Sequence, residues 1–287
     1  MLMNIERQRK NKSRVDSTFG MGHIFKEVPD LIPAEIQRGL NTSIIGKTIE
    51  YYREVKSTNS VAASVADNVE DGTTIITEIQ TRGRGRIGRT WVSPRGGIWL
   101  SIVLKPRIPA VRAYRLTIAA GLAAAKTIRA YEIDAKIKWP NDIIIGNKKV
   151  CGILTETEAE AEQLKHAIVG IGVDTNIDTR LFPEEIRDHS TSLQTELGES
   201  IDRVEFIKRL LTSFEYEYLR LYKQFPQILD EWRYLLATTG KRVQINNPTT
   251  TIYGKAVGVD REGALIIKCD DGFIERVVAG ECIHASI

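Results

Sequence analysis

Residues 81–97 read Thr-Arg-Gly-Arg-Gly-Arg-Ile-Gly-Arg-Thr-Trp-Val-Ser-Pro-Arg-Gly-Gly, so five arginines are interspersed with five glycines. Glycine lets the backbone approach a ligand closely, and arginine offers a fork of donors that suits carboxylates and phosphates. Strand-like runs lie on both sides, from Gly72 to Ile79 and from Ile98 to Leu104. A basic, mobile loop between two buried strands predicts a lid over an anionic small molecule. An RG-type contact with nucleic acid and a merely solvated loop are the alternatives.

Charge is distributed unevenly along the 287 residues, although the net charge is only +3. Between Ile79 and Tyr131 there is no Asp or Glu, while eleven Lys or Arg occur. The rest of the chain is therefore net acidic, and the positive field is focused around the loop. This pattern favours an anionic ligand over a long nucleic acid.

The length of the chain predicts one large domain and a smaller one.

Cysteine usage and the N-terminus indicate the cellular compartment. Cys151, Cys269 and Cys282 show no CxxC spacing, and with four scattered histidines they predict neither a zinc site nor a disulfide framework. The first residues lack the apolar core of a signal peptide, and residues 116–125 are too short to span a bilayer. We therefore expect a soluble, cytoplasmic protein without a membrane partner.

The N-terminal half alternates between strand and helix patterns. Residues 1–28 are polar, basic between Arg7 and Arg14, and predict a loosely ordered arm, with a nucleic-acid-binding arm as the alternative. A strand is expected at Ile49–Val55 and a helix from Val61. Ser57, Thr58 and Asn59 between them are interpreted either as helix N-caps or as groups that hold a polar ligand.

The second half predicts a helix over Ala110–Ala130 and a strand from Ala135 to Trp139. A hairpin follows, with its turn at residues 146–148, and then a buried strand at His166–Val173. Gly170 and Gly172 in that strand indicate that backbone or ligand approaches closely. Residues 203–225 and 226–232 predict packing helices. After Leu236, four short alternating strands predict a small β-barrel.

Cations and an acid lie where a carboxylic acid could be activated with ATP. Such a reaction requires the repulsion between carboxylate and α-phosphate to be screened, and it requires a reactive acyl phosphate to be hidden from water. Arg84, Arg86, Arg89 and Lys149 supply cations, and Asp142 could hold Mg²⁺ on the phosphates. Trp91 could lie against a purine, although a lone tryptophan is as often part of the core.

Five motifs together resemble the biotin protein ligases. They are Ser57-Thr58-Asn59, Gln80 with Gly83-Arg84-Gly85-Arg86 and Gly88-Arg89-Thr90-Trp91, Lys138-Trp-Pro-Asn-Asp142, Lys149-Val-Cys-Gly152, and Gly170-Ile-Gly172. The resemblance runs from about Ile49 to the C-terminus. It implies an α+β fold, with a central mixed β-sheet and helices of the class II synthetase-like type and a small C-terminal SH3-like β-barrel. The implied domains are an N-terminal arm or linker at 1–44, a catalytic domain at 45–236 and the barrel at 237–287.

The resemblance also implies a two-step reaction. Biotin and ATP give biotinyl-5′-AMP and pyrophosphate, and a lysine of a biotin carboxyl carrier protein or domain then takes the biotin. The implied catalytic residues are Lys149, Arg86, Asp142 and Lys138, with Mg²⁺ at Asp142. The implied biotin site comprises Ser57, Thr58, Asn59, Gln80, Gly83, Arg84, Gly85, Arg86, Lys149 and Gly152. The implied ATP site comprises Arg84, Arg86, Arg89, Trp91, Lys138, Asn141, Asp142 and Asp174.

Three positions depart from the family pattern. Ile87 stands where many relatives have arginine, so its side chain is expected to be dispensable or to pack the folded lid. Asp174 replaces a usual Asn, which adds a negative charge near ATP and predicts weaker nucleotide binding. No helix-turn-helix pattern is visible in the first thirty residues, so DNA binding is not expected. A bifunctional biotin-sensing repressor and a lipoate-type ligase are the rival functions, and the resemblance allows a homodimer.

Overall fold

The computed structural model describes residues 30–247 and 250–284, and its main body is a seven-stranded mixed sheet. The strands are β1 (Ile49–Val55), β2 (Thr74–Gln80), β3 (Ile98–Leu104), β4 (Ala135–Lys138), β5 (Asp142–Ile145), β6 (Lys148–Glu160) and β7 (Gln163–Val173). They lie in the order β1-β2-β3-β7-β6-β5-β4, with β1 and β2 parallel and the other neighbours antiparallel. The loop at 81–97 joins β2 to β3, so its predicted place between two buried strands is confirmed.

Helices cover both faces of this sheet. They are α1 (Pro33–Gln37), α2 (Thr58–Val65), α3 (Tyr114–Arg129), α4 (Glu184–Arg187), α5 (Leu193–Leu197), α6 (Arg203–Arg220) and α7 (Phe225–Tyr234). Alternate residues of a strand point to opposite faces. Ile76 and Ile102 accordingly face the large core around α3, α6 and α7, whereas Ile75 and Val103 pack against α2.

A second, five-stranded antiparallel sheet follows α7. Its strands are β8 (Arg242–Asn246), β9 (Thr251–Val259), β10 (Leu265–Cys269), β11 (Ile274–Val277) and β12 (Glu281–His284), in the order β11-β10-β9-β8-β12. The expected α+β class with a small C-terminal β domain is confirmed, but the sequence patterns missed β12. The two sheets are joined at Trp139, whose Nε1 donates to the carbonyl of Gly263 at 3.0 Å and whose backbone N–H donates to Thr238 Oγ1 at 3.0 Å.

Residues 30–48 belong to the folded body. Leu31 and Ile36 are buried, and the N–H of Leu31 donates to Glu78 Oε1 at 2.6 Å. The carboxylate of Glu215 accepts from the backbone N–H groups of residues 43, 44 and 45 at 2.6–2.7 Å. The predicted loose arm at 1–28 lies outside the described residues, and the three domain limits stay predictions. Within residues 30–247 and 250–284, no helix is long and apolar enough to cross a membrane.

Candidate active site

A cavity of about 1650 Å³ lies between β6 and β7, the loop at 81–97 and the edge strand β12. It gathers nearly all the side chains that the sequence singled out. These are Ser57, Thr58, Asn59, Gln80, Arg84, Gly85, Arg86, Arg89, Trp91, Lys138, Asn141, Asp142, Lys149, Gly152 and Asp174. Gly83, in the same loop, is not in the lining. A Cβ on Gly83 would meet the carbonyl oxygen of Trp91 at 2.3 Å and Ser93 Oγ at 2.6 Å.

One end of the cavity is a closed polar network, which we call the hydroxyl–amide end (Thr58, Asn59, Gln80, Ser93 and Ser101). Gln80 Oε1 accepts from the N–H and the hydroxyl of Thr58 at 2.9 and 3.1 Å, and its Nε2 donates to Ser93 Oγ at 2.9 Å. Ser101 Oγ lies 2.7 Å from Thr58 Oγ1 and 2.6 Å from Asn59 Oδ1. Networks of this kind hold their members in fixed orientations.

The start of α2 decides between the two interpretations of Ser57-Thr58-Asn59. Ser57 occupies the N-cap position, but its side chain makes no capping hydrogen bond. Ser57 is nevertheless buried and lines the cavity. The capping interpretation of Ser57 is therefore wrong, and its hydroxyl is available to a ligand.

Besides Ser93, two residues outside the sequence motifs complete this end. Ser101 is the one polar residue in the apolar run of β3, a signal that was visible in the sequence. Glu156 Oε2 accepts from Asn59 Nδ2 at 2.7 Å and from Arg84 Nη2 at 2.6 Å. Nothing in the sequence pointed to Glu156, because its partners are 72 and 97 residues away.

Gly170, Gly172 and Asp174 share one face along β7 and its continuation, since residues i, i+2 and i+4 of an extended chain point the same way. A Cβ on Gly170 would lie 2.1 Å from Asn59 Oδ1, and one on Gly172 would lie 2.5 Å from Trp91 Nε1. A close approach to the two glycines is confirmed, but the approaching groups are the side chains of Asn59 and Trp91 and not the backbone or ligand that the sequence suggested.

The opposite end of the cavity contains buried polar atoms without partners, and we call it the Trp91–Asp174 end. The indole of Trp91 lies edge-on to Trp99, with ring centroids 6.3 Å apart. Within the described part of the chain, neither Trp91 Nε1 nor Asp174 Oδ1 has a hydrogen-bond partner. Such orphaned groups are rare in folded proteins and often mark a site that a ligand completes.

Asp174 differs from what its sequence position suggested. It is 2% exposed, and burial raises the pKa of its carboxyl well above the ordinary value, although the positive charge of Lys149 opposes the shift. Burial therefore favours the neutral acid. Burial thus opposes the negative charge that the sequence suggested here, and the effect of Asp174 on nucleotide binding stays a prediction.

Lys149 lies beside Trp91 and Asp142 and is fixed in place. Its backbone N–H donates to the carbonyl of His189 at 2.7 Å, and its own carbonyl accepts from Thr191 at 2.9 Å. Its Nζ lies 2.7 Å from Asp142 Oδ1 and 4.8 Å from the ring centre of Trp91. Lys148, by contrast, is exposed. Tertiary contacts thus hold Lys149, whereas a lysine solvated at a strand edge would lack them.

A positive wall continues beyond Asp142. Lys138 is paired directly opposite Asp142 in the β4–β5 ladder. Burial, together with the positive charges of Lys138 and Lys241, lowers the pKa of His284 to about 4. No cluster of three potential metal ligands occurs within residues 30–247 and 250–284. Asp142 is thus the one carboxylate that could bind a metal ion here, and it already faces Lys149. A single carboxylate fits only a magnesium ion whose other ligands come from phosphates and water.

The loop arginines make specific contacts with the protein. Arg84 pairs with Glu156, Arg89 pairs with Glu281 of β12, and Arg86 Nη1 donates to Asn141 Oδ1 at 3.0 Å and to the carbonyl of Gly280 at 3.4 Å. Burial lowers the pKa of Arg86, and Asp142 opposes that shift. Glu156 of β6 and Glu281 of β12 therefore neutralise part of the positive charge that the sequence predicted around this loop.

Ile87 occupies the tip of this loop. Its side chain is 61% exposed, and its backbone has φ 54°, which is unusual for a β-branched residue. The expectation that Ile87 packs the folded lid is wrong in this conformation.

The sequence matches two family descriptions. Residues 51–174 match the Biotin/lipoate A/B protein ligase family, and residues 238–285 match the Biotin protein ligase C terminal domain. The bifunctional ligase/repressor BirA of Bacillus subtilis is 36% identical over 283 residues, covering 97% of this chain and 87% of that protein. The biotin--[acetyl-CoA-carboxylase] ligase of Mycobacterium tuberculosis is 32% identical, covering 88% of this chain and 97% of that protein.

Solved structures show the same architecture. The biotin protein ligase from Aquifex aeolicus in complex with biotin and ATP is 31% identical, with a TM-score of 0.70, covering 83% of this chain and 98% of that chain. An apo structure of the Aquifex aeolicus ligase gives a TM-score of 0.71 at 26% identity, covering 83% of this chain and 100% of that chain.

Proposed function

This chain belongs to the biotin protein ligase family, and from that premise we propose that it attaches biotin to a protein lysine with the use of ATP. The acceptor would be a biotin carboxyl carrier protein or domain of a carboxylase. The observation that carries the proposal is the shape of the cavity. One continuous space joins the hydroxyl–amide end to the Trp91–Asp174 end, and the fixed cation of Lys149 lines it.

The hydroxyl–amide end suits the ureido ring of biotin. That ring presents two N–H donors and a carbonyl, which hydroxyls and side-chain amides can pair with on both sides. The dithiolane ring of lipoate offers no hydrogen-bonding group of comparable strength. It would leave the buried hydroxyl of Ser57 without a partner, and an unpaired buried polar group is disfavoured. Thermal shift with biotin against lipoate tests this preference, and stabilisation by lipoate alone would reverse it.

In the first proposed step, the biotin carboxylate attacks the α-phosphorus of ATP and pyrophosphate leaves, which gives biotinyl-5′-AMP. Lys149 would bind the carboxylate and the α-phosphate together, so that their mutual repulsion is screened. Lys138 would face the phosphates. A magnesium ion would supply further charge neutralisation there, with Asp142 as its protein ligand. Arg84 and Arg86 would close the loop over the intermediate.

In the second step, the amine of the acceptor lysine attacks the acyl carbonyl. AMP leaves, and an amide forms between biotin and the lysine side chain. The loop at 81–97 would exclude water during the interval, because a mixed anhydride hydrolyses readily. Arg86 and Arg89 tie this loop to Gly280 and Glu281, so β12 also takes part in the closure.

Intact-mass spectrometry of a carrier domain tests the proposal. The carrier is incubated with the protein, biotin and MgATP, and we expect one biotinyl group per carrier. A carrier whose acceptor lysine is replaced by arginine is the matched control and should stay unmodified. An unmodified wild-type carrier, under conditions in which a known biotin ligase modifies it, would contradict the proposal.

One observation supports a second candidate function, a biotin-responsive repressor. The match to the Bacillus subtilis ligase/repressor covers 97% of this chain, which leaves at most about 9 of 287 residues outside it. It therefore includes most of residues 1–29, which are basic between Arg7 and Arg14. A gel shift over a range of salt concentrations, with and without biotin and ATP, tests this function. Slower migration of the DNA that is lost on replacing Arg9 and Lys10 by glutamate would support DNA binding. Unchanged migration of the DNA at low salt would exclude it.

A further inference from the structure

Glu156 lies on β6 just beyond the cavity, and the cavity lining does not include it. Leu154 is paired with Gly170 on the face of the sheet that lines the cavity. Glu156 is the next residue of β6 on that face, and it is paired with Ile168, which packs against α2. An effect of Glu156 on a ligand would therefore pass through a neighbouring side chain.

One carboxylate oxygen of Glu156 binds two residues of the site. Its Oε2 accepts from Asn59 Nδ2 at 2.7 Å and from Arg84 Nη2 at 2.6 Å. A carboxylate offers only acceptors, so the nitrogen of the Asn59 amide has to face it. The amide oxygen then points the other way, toward Ser101 Oγ at 2.6 Å and toward Gly170, where an added Cβ would lie 2.1 Å from it. Because Gly170 lines the cavity, Glu156 directs the oxygen of Asn59 toward the cavity wall.

The hydroxyl network leaves this amide oxygen able to accept from a ligand. The hydroxyl of Thr58 donates to Gln80 Oε1 at 3.1 Å. Ser101 has a single hydroxyl proton for two acceptors, Thr58 Oγ1 at 2.7 Å and Asn59 Oδ1 at 2.6 Å. An amide oxygen has two lone pairs, so Asn59 can accept a further hydrogen bond. With the amide reversed, its NH₂ group would take this place and oppose an N–H of the ligand.

We propose that Glu156 is a positioning residue for biotin, which fixes the amide of Asn59 so that its oxygen accepts from an N–H of the ureido ring. The inference rests on the proposed function. Arg84 neutralises the charge of Glu156, but both side chains of this ion pair are partly exposed, at 43% and 38%. Ion pairs that solvent reaches contribute little. The acceptor oxygen of Glu156, and not its charge, should therefore determine the affinity for biotin.

Calorimetry with biotin tests this assignment in Glu156→Gln, which keeps an acceptor oxygen without the charge, and in Glu156→Met, which has a similar length and no oxygen. We expect Glu156→Gln to bind biotin within about 3-fold of wild type and Glu156→Met to bind it about 10-fold more weakly. Glu158→Met is the matched control and should bind like wild type, because Glu158 is an exposed acid of the same strand that pairs with Lys165. Melting temperatures check that each variant is folded.

A second measurement asks whether the effect passes through Asn59. In an Asn59→Ala background, Glu156→Met should lower biotin affinity by less than about 2-fold, because the amide that Glu156 orients is gone. The full loss in that background would show that Glu156 does not act through Asn59.

Two results in the single variants would also overturn the inference. Wild-type affinity in Glu156→Met would show that the acceptor is not needed. An equal loss in Glu156→Gln and Glu156→Met would show that the charge matters and the orientation of Asn59 does not. If wild type bound no biotin at all, the proposed function itself would fail, which is a different result from any of these.

Discussion

The two ends of the cavity differ in how completely their polar atoms are bonded. At the hydroxyl–amide end, Thr58 bonds directly to Gln80, Ser101 links Thr58 to Asn59, and Ser93 accepts from Gln80. At the Trp91–Asp174 end, two buried polar atoms lack partners within the described residues. The two ends meet along β7, where Gly170 faces Asn59 and Gly172 faces Trp91.

The contrast indicates two ways of preparing a site. A closed network keeps donors and acceptors in fixed orientations before the ligand arrives, which lowers the entropic cost of binding. Buried polar groups without hydrogen bonds raise the free energy of the unliganded protein. A ligand that bonds to them removes this cost, and the gain adds to the affinity for that ligand. We infer that biotin meets a preformed site, and that the nucleotide completes its own.

Lys149, beside Trp91 in the cavity, carries the largest expected effect. Lys149→Ala should lower the rate of pyrophosphate release about 10²–10³-fold at saturating biotin and ATP, because it removes one preorganised cation. Biotin should still bind, though more weakly. Lys148→Ala is the matched control, since Lys148 is the adjacent, exposed lysine. Comparable rates in the two variants would refute the role of Lys149.

Gly170 and Gly172 allow the two ends to be disturbed separately. Gly170→Ala places a methyl group 2.1 Å from Asn59 Oδ1, inside the closed network. We expect a loss of about 1–3 kcal/mol in the free energy of unfolding and biotin affinity lower by about 10-fold. Gly172→Ala meets the side chain of Trp91, which belongs to a loop and can move, so its effect on biotin affinity should be smaller. Calorimetry with biotin and denaturant titration measure both, and equal effects would erase the distinction between the ends.

Arg86 should control retention of the intermediate more than its synthesis. Its contacts to Asn141 and Gly280 hold the loop closed, so Arg86→Gly should release biotinyl-5′-AMP and increase labelling of bystander lysines several-fold. Arg82→Gly is the control, because Arg82 is an exposed arginine of the same loop outside the cavity lining. Mass spectrometry of an added bystander protein measures the labelling. Wild-type labelling by Arg86→Gly, with the intermediate still produced, would contradict the assignment.

A smaller effect is expected from Asp174, on how the stability of the folded state depends on pH. The pKa of Asp174 is raised in the folded state above its unfolded value of about 3.9. At any pH between these two pKa values, the native protein therefore binds more protons than the unfolded chain. Stability is therefore lost as the pH rises through this window. Asparagine cannot ionise, so the melting temperature of Asp174→Asn should exceed that of wild type by a margin that grows from pH 4 to pH 8. Asp188→Asn, at an exposed acid, should show no such trend. If the difference in melting temperature between Asp174→Asn and wild type were the same at every pH, Asp174 would not titrate as an isolated buried acid.

Much of the fold was readable from local sequence patterns. The strand at Ile98–Leu104 and the hairpin after Asp142 were predicted at their observed positions, because apolar runs and a Gly-Asn-Lys turn mark them locally. The four residues of β12 were missed, since a strand that short carries too little pattern. Its pairing with β8 is fixed by tertiary contacts instead.

The site was predicted less completely, and the omissions share a cause. The motifs gave the residues that line the cavity, but not Glu156 or Glu281, whose contacts with the loop arginines join distant parts of the chain. Burial of Asp174 was equally invisible, so its charge was assigned from residue type alone. Side-chain charge and partner choice depend on packing, which no local pattern encodes.

The claim that joins these observations is that ligands complete the Trp91–Asp174 end of a cavity whose other end is already formed. The indole N–H resonance of Trp91 reports on it directly, with Trp91→Phe for assignment and Trp99 and Trp139 as internal references. Those two indoles already donate to carbonyl oxygens, at 2.9 and 3.0 Å. In ¹⁵N-labelled protein, saturating biotin and ATP should shift the Trp91 resonance more than that of Trp99 or Trp139. A Trp91 resonance that stays in place while both ligands are shown to bind would contradict the claim.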